Sequence, residues 1–308
     1  GAIRIGQGDS AAYAAYNVNS GTVGSVDAAT TVAVYSGDVQ SGSVAASEGQ
    51  TIAAGTTVTI GTSTVPNQNA VGNITAGTTV SVYNGESGSA GNVTAGSTVT
   101  IGAAANANAG DVGDIDTDGG VSVYNGSATI GTIEAGGAVN LYGNAGTIGN
   151  VTSSGNSVNV GSSNRIESTA AGQVGNSGTI GNLTGTSVNV YRNTGKIGGL
   201  TATSTSVRVG QSDSSTEGVP AYNHNSGTIG SIDAVTSVTI YSTGSGSIAT
   251  ASGETVEAGT TVTIGTAANP NAHDIGAVTS GTTVTLHSGS GTVGSVTAGT
   301  SLSAHVYD

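Results

Sequence analysis

Val71-Gly72-Asn73-Ile74-Thr75-Ala76-Gly77-Thr78-Thr79-Val80-Ser81-Val82-Tyr83 is the stretch whose reading decides the fold. Two apolar residues three apart, Val71 and Ile74, precede a small Ala-Gly turn. A strictly alternating segment follows, with Val80 and Val82 facing one way and Thr79 and Ser81 the other. That is the period of a strand with one buried face. The same grammar returns at Ile148–Gly161, Ile180–Tyr191, Ile229–Tyr241 and Val293–His305. Repetition at such spacing signals a solenoid, a propeller or an array.

The last residue of each such strand serves as a marker. The markers are Gly6, Tyr35, Gly61, Tyr83, Gly102, Tyr124, Tyr142, Gly161, Tyr191, Gly210, Tyr241, Gly265, His287 and His305. They define about fourteen coils with a basic length of about 18–19 residues, the longer intervals carrying loops. In an antiparallel meander the Ala-Gly pairs would be hairpin turns. A hairpin strand keeps period two, however, whereas the three-residue step from Val71 to Ile74 re-aims the chain as a solenoid corner must. Residues 1–308 are therefore expected to form an all-β, single parallel β-solenoid. Ala15–Gly24 is close to Ala221–Gly230, and Gly55–Thr62 is identical to Gly259–Thr266, so the solenoid reads as internally duplicated, at about 1–155 and 156–308.

The marker column nearly alternates Gly with Tyr, and a Tyr ring of one coil is expected to lie over the bare Gly of its neighbour. Each Gly marker precedes an insertion: Gln7–Ser20, Thr62–Ala70, Ala103–Asp111, Ser162–Ser177, Gln211–Ser226 and Thr266–Asp274. Glycine lets the chain leave the coil at unusual φ and ψ. The inserts are expected to line one side of the solenoid.

Composition supports a thin core of Val, Ile and Ala. Gly accounts for 53 of 308 residues, and Cys, Met, Trp and Phe are absent. Five Lys+Arg against eighteen Asp+Glu give a net charge of −13, so the field repels polyanions and nucleic-acid binding is excluded. No apolar run approaches about 18 residues, so no membrane span is expected. If the protein is secreted, the sequence is expected to be its mature form, and zero cysteine rules out a disulfide framework. Abundant Gly, Ser, Thr, Asn and Ala with few charges points to an extracellular or cell-surface setting.

Runs such as Gly146–Val160, G-T-I-G-N-V-T-S-S-G-N-S-V-N-V, resemble the repeats of bacterial filamentous-haemagglutinin and autotransporter adhesins. That resemblance implies a long right-handed β-helix on the cell surface.

Several residues are candidates for chemistry. Asp114-Ile115-Asp116-Thr117-Asp118-Gly119 matches the start of a calcium loop, with oxygen ligands at alternate positions suited to a hard cation. Asn125 stands where a bidentate Glu would complete an EF-hand, so the choice is between another kind of Ca²⁺ site and a solvated acidic patch. Glycosylation sequons begin at Asn73, Asn92, Asn125, Asn150 and Asn182. Four of these fall at one coil position, and the alternative is a column that simply favours Asn. Outward Thr pairs such as Thr57 and Thr59 suggest an ice-binding array, but Asn140, Asn159, Asn189 and Arg208 interrupt it. His287 and His305 read as stacking substitutes for Tyr and lack a nearby Cys or carboxylate at metal-ligand spacing; His224 and His273 are the other two histidines. No converging Asp, Lys and Arg cluster suggests an enzyme, and Ca²⁺ is the sole cofactor considered.

The function expected from these features is structural: a subunit that stacks head-to-tail into a filament or surface fibre, with itself as partner. Ile3, Ile5, Leu302 and Tyr307 are the expected contact residues, because strands lie close to both ends of the sequence. Fourteen coils at about 4.8 Å give a rise of roughly 67 Å per copy. The alternative is an adhesin module presenting its insert loops to a glycan or protein.

Overall fold

The computed structural model describes residues 1–6, 19–36, 42–161, 175–210, 225–241 and 245–307. Its 38 strands include no helix among the described residues, and the chain is a parallel β-solenoid. A turn comprises three strands, as in Ala70–Val71, Asn73–Ala76 and Thr79–Val82. These form the third, second and first faces of the coil respectively. Among the described residues fourteen strands lie on the first face but only eleven on the third, so about eleven turns are complete rather than fourteen. Isolated bridges at Val112 and Val293 replace the short third-face strand in two further coils.

The chain divides into two compact units, mainly Gly1–Ala138 with Tyr142–Gly149, and Val139–Leu141 with Asn150–Thr169 and Gln173–Asp308. In the first unit Val58, Val80 and Val99 are in register on the first face, as are Ile60, Val82 and Ile101. Ile52, Ile74 and Val93 form the matching column of the second face, beside Ala54, Ala76 and Ala95. All of these residues are buried, while the intervening Ser81, Asn73 and Thr75 face outward. In the second unit Val207, Val238, Val262 and Val284 repeat the first-face column. A one-residue slip in any coil would place its Thr and Asn inside, so burial of one face holds the register.

The Ala-Gly pairs are corners, as the three-residue step requires. Gly77 donates its N–H to Ala54 O at 3.0 Å, and Gly96 donates to Ala76 O at 3.1 Å. A Cβ on Gly77 would strike the carbonyl of Gly55 in the coil below. Glycine recurs at this corner because a Cβ there would meet the carbonyl stacked beneath, although Ala29, Asp118 and Val235 hold the same position in other coils.

The marker glycines do release the chain. Gly61, Gly102 and Gly265 sit at φ of 67°, 69° and 70°. After Gly61 the insert closes on itself through Thr62 N–H to Val65 O at 2.9 Å. It rejoins the solenoid where Asn67 N–H donates to Tyr83 O at 2.7 Å. Asn108 and Asn271 return in the same way, onto the carbonyls of Tyr124 and His287 at 2.8 and 2.7 Å. Three inserts thus leave from one kind of corner. The larger part of Gln7–Ser20, Ser162–Ser177 and Gln211–Ser226 lies outside the described residues, as does His224.

One corner differs from the rest and occurs once in each unit. Ala45 and Ala249 both adopt φ of 51°, left-handed for a residue with a Cβ, and each opens a tight turn ending at Gln50 or Glu254. In the first turn Gln50 N–H donates to Ser47 O at 3.0 Å, and Ser47 N–H donates back to Gln50 Oε1 at 3.3 Å. Ala251 and Glu254 make the same pair, at 3.1 and 3.0 Å.

Candidate functional surfaces

Asn73, Asn92, Asn150 and Asn182 are exposed at the corner between the third and second faces. Each side-chain carbonyl faces the next coil. Asn73 Oδ1 accepts the N–H of Asn92 at 3.0 Å, and Asn92 Oδ1 accepts that of Asp114 at 3.0 Å. In the second unit Asn150 Oδ1 accepts from Asn182 N–H at 2.9 Å, and Asn182 Oδ1 from Gly199 N–H at 2.8 Å. Ser25 and Ser231 accept from Thr51 and Thr255 at 3.4 Å in the same role. This column favours a short side-chain acceptor because it satisfies a corner N–H that would otherwise lack a partner. The preceding glycine is explained too, since a Cβ on Gly91 would lie 2.5 Å from Asn73 Oδ1.

Asn125 does not belong with these four. It is fully buried, so the folded chain offers no acceptor nitrogen there: Asn125 Nδ2 donates to Ala128 O at 3.0 Å and to Asn144 Oδ1 at 2.7 Å. Its own Oδ1 is buried without a hydrogen-bond partner. Asn125 is one member of a buried asparagine ladder that sequence reasoning missed. In the first unit Asn67 Nδ2 donates to Asn84 Oδ1 at 3.0 Å. In the second unit Asn176 donates to Asn193, and Asn193 to Asn225, both at 2.8 Å. The signal was present as Tyr83-Asn84, Tyr124-Asn125 and Tyr191-Arg192-Asn193, an Asn one or two residues past an aromatic marker.

A third ladder runs along the Ala-Gly-Thr corners. Thr78 Oγ1 donates to Thr56 O at 2.8 Å, and Thr56 Oγ1 to Thr30 O at 2.7 Å. Thr236, Thr260 and Thr282 do the same in the second unit, at 2.7, 2.6 and 2.6 Å. Side chains therefore tie successive coils together at three corners, which explains the bias toward Asn and Thr without a ligand.

The acidic stretch lies across a corner and the second face. Asp114 and Asp116 flank buried Ile115, and Asp118 is exposed at the next corner. Asp116 is in register with Glu134. Asp114 Oδ1 is occupied by Thr132, whose N–H and Oγ1 donate at 2.7 and 2.9 Å. These two bonds hold the Asp114 carboxyl below its ordinary value. Among the described residues no three His, Cys, Asp or Glu side chains converge as a metal-binding group.

The aromatic column stacks ring on ring in two places. Tyr124 and Tyr142 stack with ring centroids 4.8 Å apart, and His287 stacks on His305 at 4.9 Å. Tyr307 lies against His287 at 5.8 Å, its hydroxyl 3.0 Å from Nδ1. Arg4 and Arg208 sit over the rings of Tyr35 and Tyr241, 5.7 and 6.0 Å from the centroids. Both arginines are exposed, and a cation–π contact at an exposed site contributes about 0.5–1 kcal/mol.

Two grooves flank the unusual corners. One of about 430 Å³ runs beside 45–50 in the first unit. A larger one, about 720 Å³, lies in the second unit and is lined by Asn182, Lys196, Gly199, Thr201, Asp233 and Glu254 among others. The strand Ser301–Val306 is exposed along its whole length. Leu302 and Val306 are 54% and 79% exposed, and Ile3 and Ile5 in the first coil are half-buried.

No protein-family model, curated protein or solved structure matches this chain. No helix among the described residues is long and apolar enough to cross a membrane.

Proposed function

We propose that the chain is a structural element of an extracellular surface fibre whose coils continue from one copy into the next. The observation that carries this reading is the in-register stacking of like coils, whose apolar columns repeat from one coil to the next within each unit. Ser301–Val306 pairs along one edge only, over six residues with Thr283–Ser288, and leaves Leu302 and Val306 largely exposed. At the other end Ile3 and Ile5 are half-buried, although Val32 and Val34 above them are closed to 1% and 0%. An unpaired strand edge beside open apolar columns is a template for a further coil.

In this reading that coil comes from a second copy. Gly61 and Gly102 in the first unit, and Gly210 and Gly265 in the second, each lie between two coils with aromatic markers. The Gly6 coil pairs with the Tyr35 coil in the same way. A copy placing its His305 coil beneath Gly6 supplies the other side, with Leu302 under Ile3 and Ala304 under Ile5. Such a contact is heterologous and cannot close, so it grows. The extracellular setting rests on composition.

The absence of cysteine makes the test direct. Arg4→Cys with Ser303→Cys puts one outward thiol on each free edge, about 4.8 Å apart across the contact and within disulfide reach. Mild oxidation should give a ladder of covalent multimers, and negative-stain microscopy should show unbranched fibres. A chain that sediments as a monomer at high concentration and forms no ladder refutes the reading.

A further inference from the structure

Gly199 is a glycine that the backbone does not demand. Its φ is not left-handed, and a Cβ built there would meet nothing nearer than Ser231 O at 3.4 Å and Asn182 Oδ1 at 3.5 Å. Its neighbour Gly198 is different, because a Cβ there would collide with Asn182 Oδ1. The corner column carries Asn150, Asn182, Ser231, Thr255, Ala277 and Ser295 in the other coils of this unit, so Gly199 leaves one step of it without a side chain. The unusual turn at 249–254 lies just beyond, and Thr250, Ala251 and Glu254 contribute to the same groove. A bare step and an added turn coincide, and together they shape the groove of about 720 Å³, within the range of ligand sites.

We infer that this groove binds a short, uncharged saccharide, which adds an adhesive function to the structural one. The lining selects the ligand class. Among the described residues it contains no aromatic ring and no exposed large apolar side chain, so an apolar ligand finds no anchor there. Asp233 and Glu254, on a chain of net charge −13, repel polyanions, while Lys196 opposes a polycation. What remains is a hydroxyl-rich ligand whose groups donate and accept. Lys196 Nζ and Asn182 Nδ2 are donors, the Asn182 carbonyl being already engaged with Gly199 N–H. Asp233 and the free oxygen of Glu254 are acceptors, since the other Glu254 oxygen holds Ala251 N–H. Thr184, Thr201, Thr228 and Ser231 supply hydroxyls that play either part. The glycine Cα atoms leave flat CH surface against which a pyranose can lie.

The decisive variant is Gly199→Asn. Asn is the residue of the same column one coil below, and its Oδ1 would meet the N–H of Ser231, so the fold accepts it. Saturation-transfer NMR would be run on the full chain with cellotriose, maltotriose and chitotriose at millimolar concentration. At least one should show transfer from the wild-type chain, and Gly199→Asn should reduce its affinity at least about tenfold with unchanged melting. Asp233→Ala, at an exposed position, should weaken the same sugar and serves if Gly199→Asn folds poorly. No transfer from any of the three sugars overturns the inference, and so does transfer that neither variant alters. Disulfide laddering through positions 4 and 303 should proceed in both variants, which separates this result from the stacking test.

Discussion

Asn69 and His273 make the same hydrogen bond in the two units. Asn69 Nδ2 donates to the carbonyl of Asn19 at 2.7 Å, and His273 Nε2 lies 2.9 Å from the carbonyl of Asn225. The surroundings also correspond. Asn69 N–H donates to Asn67 Oδ1 at 3.2 Å, and His273 N–H to Asn271 Oδ1 at 3.1 Å. Facing a carbonyl, Nε2 must carry the proton, so the imidazole does the work of an amide at a fully buried corner. His273→Asn should therefore preserve stability, whereas His273→Leu removes a partner of a buried carbonyl and should cost about 1–3 kcal/mol. Urea unfolding of both variants decides, and equal losses would show that the hydrogen bond is unimportant.

Acid should weaken the solenoid at two exposed corners. Asp114 and Asp274 are each held below the ordinary 3.8 by hydrogen bonds, from Thr132 and Thr292 respectively. A depressed folded value means that the stabilisation is complete above 3.8 and is lost as pH falls through the lower folded value. Asn at either position keeps the acceptor oxygen without the charge. The melting temperature of Asp114→Asn/Asp274→Asn should depend less on pH than wild type below pH 4. Parallel curves would remove these carboxyls from the account.

The buried asparagine ladder should be sensitive to truncation. Asn193 accepts from Asn176 and donates to Asn225, both at 2.8 Å. Asn193→Ala takes a partner from both neighbours in a buried column and should cost about 2–4 kcal/mol. Asn150→Ala, at the exposed corner, should cost under about 1.5 kcal/mol, since water can meet the freed N–H of Asn182. If the two variants unfold at the same urea concentration, the ladder carries no special weight.

Val82 and Ser81 test the two faces of one strand. Val82 is fully buried between Ile60 and Ile101, while Ser81 points outward. Val82→Asp places an unpaired carboxylate in a thin core, at a cost of several kcal/mol. Ser81→Asp should change stability by less than about 0.5 kcal/mol. Circular dichroism melts of the pair would expose a misread period at once.

The sequence by itself determined the repeat, the faces and the corners. Alternation at Thr79–Val82 can satisfy only one buried face, and the Val71–Ile74 step with Ala76-Gly77 can only turn the chain. Those are local constraints, legible within one coil. Partnership between coils was not legible in the same way. Asn125 in an Asn-Gly-Ser sequon reads as an exposed acceptor, because polar residues beside a turn usually face water. Only stacking places Asn144 next to it, and a buried amide becomes acceptable once the next coil supplies a matching one. The Asp114 loop follows the same logic: its spacing suits a cation, yet the coil above delivers Thr132 to the first carboxylate. The count of complete turns, the turns at Ala45 and Ala249, and the groove at Gly199 were likewise decided by tertiary structure. Each depends on what lies one coil away, about 18 residues or more along the chain. A single stretch of sequence carries no record of that neighbour.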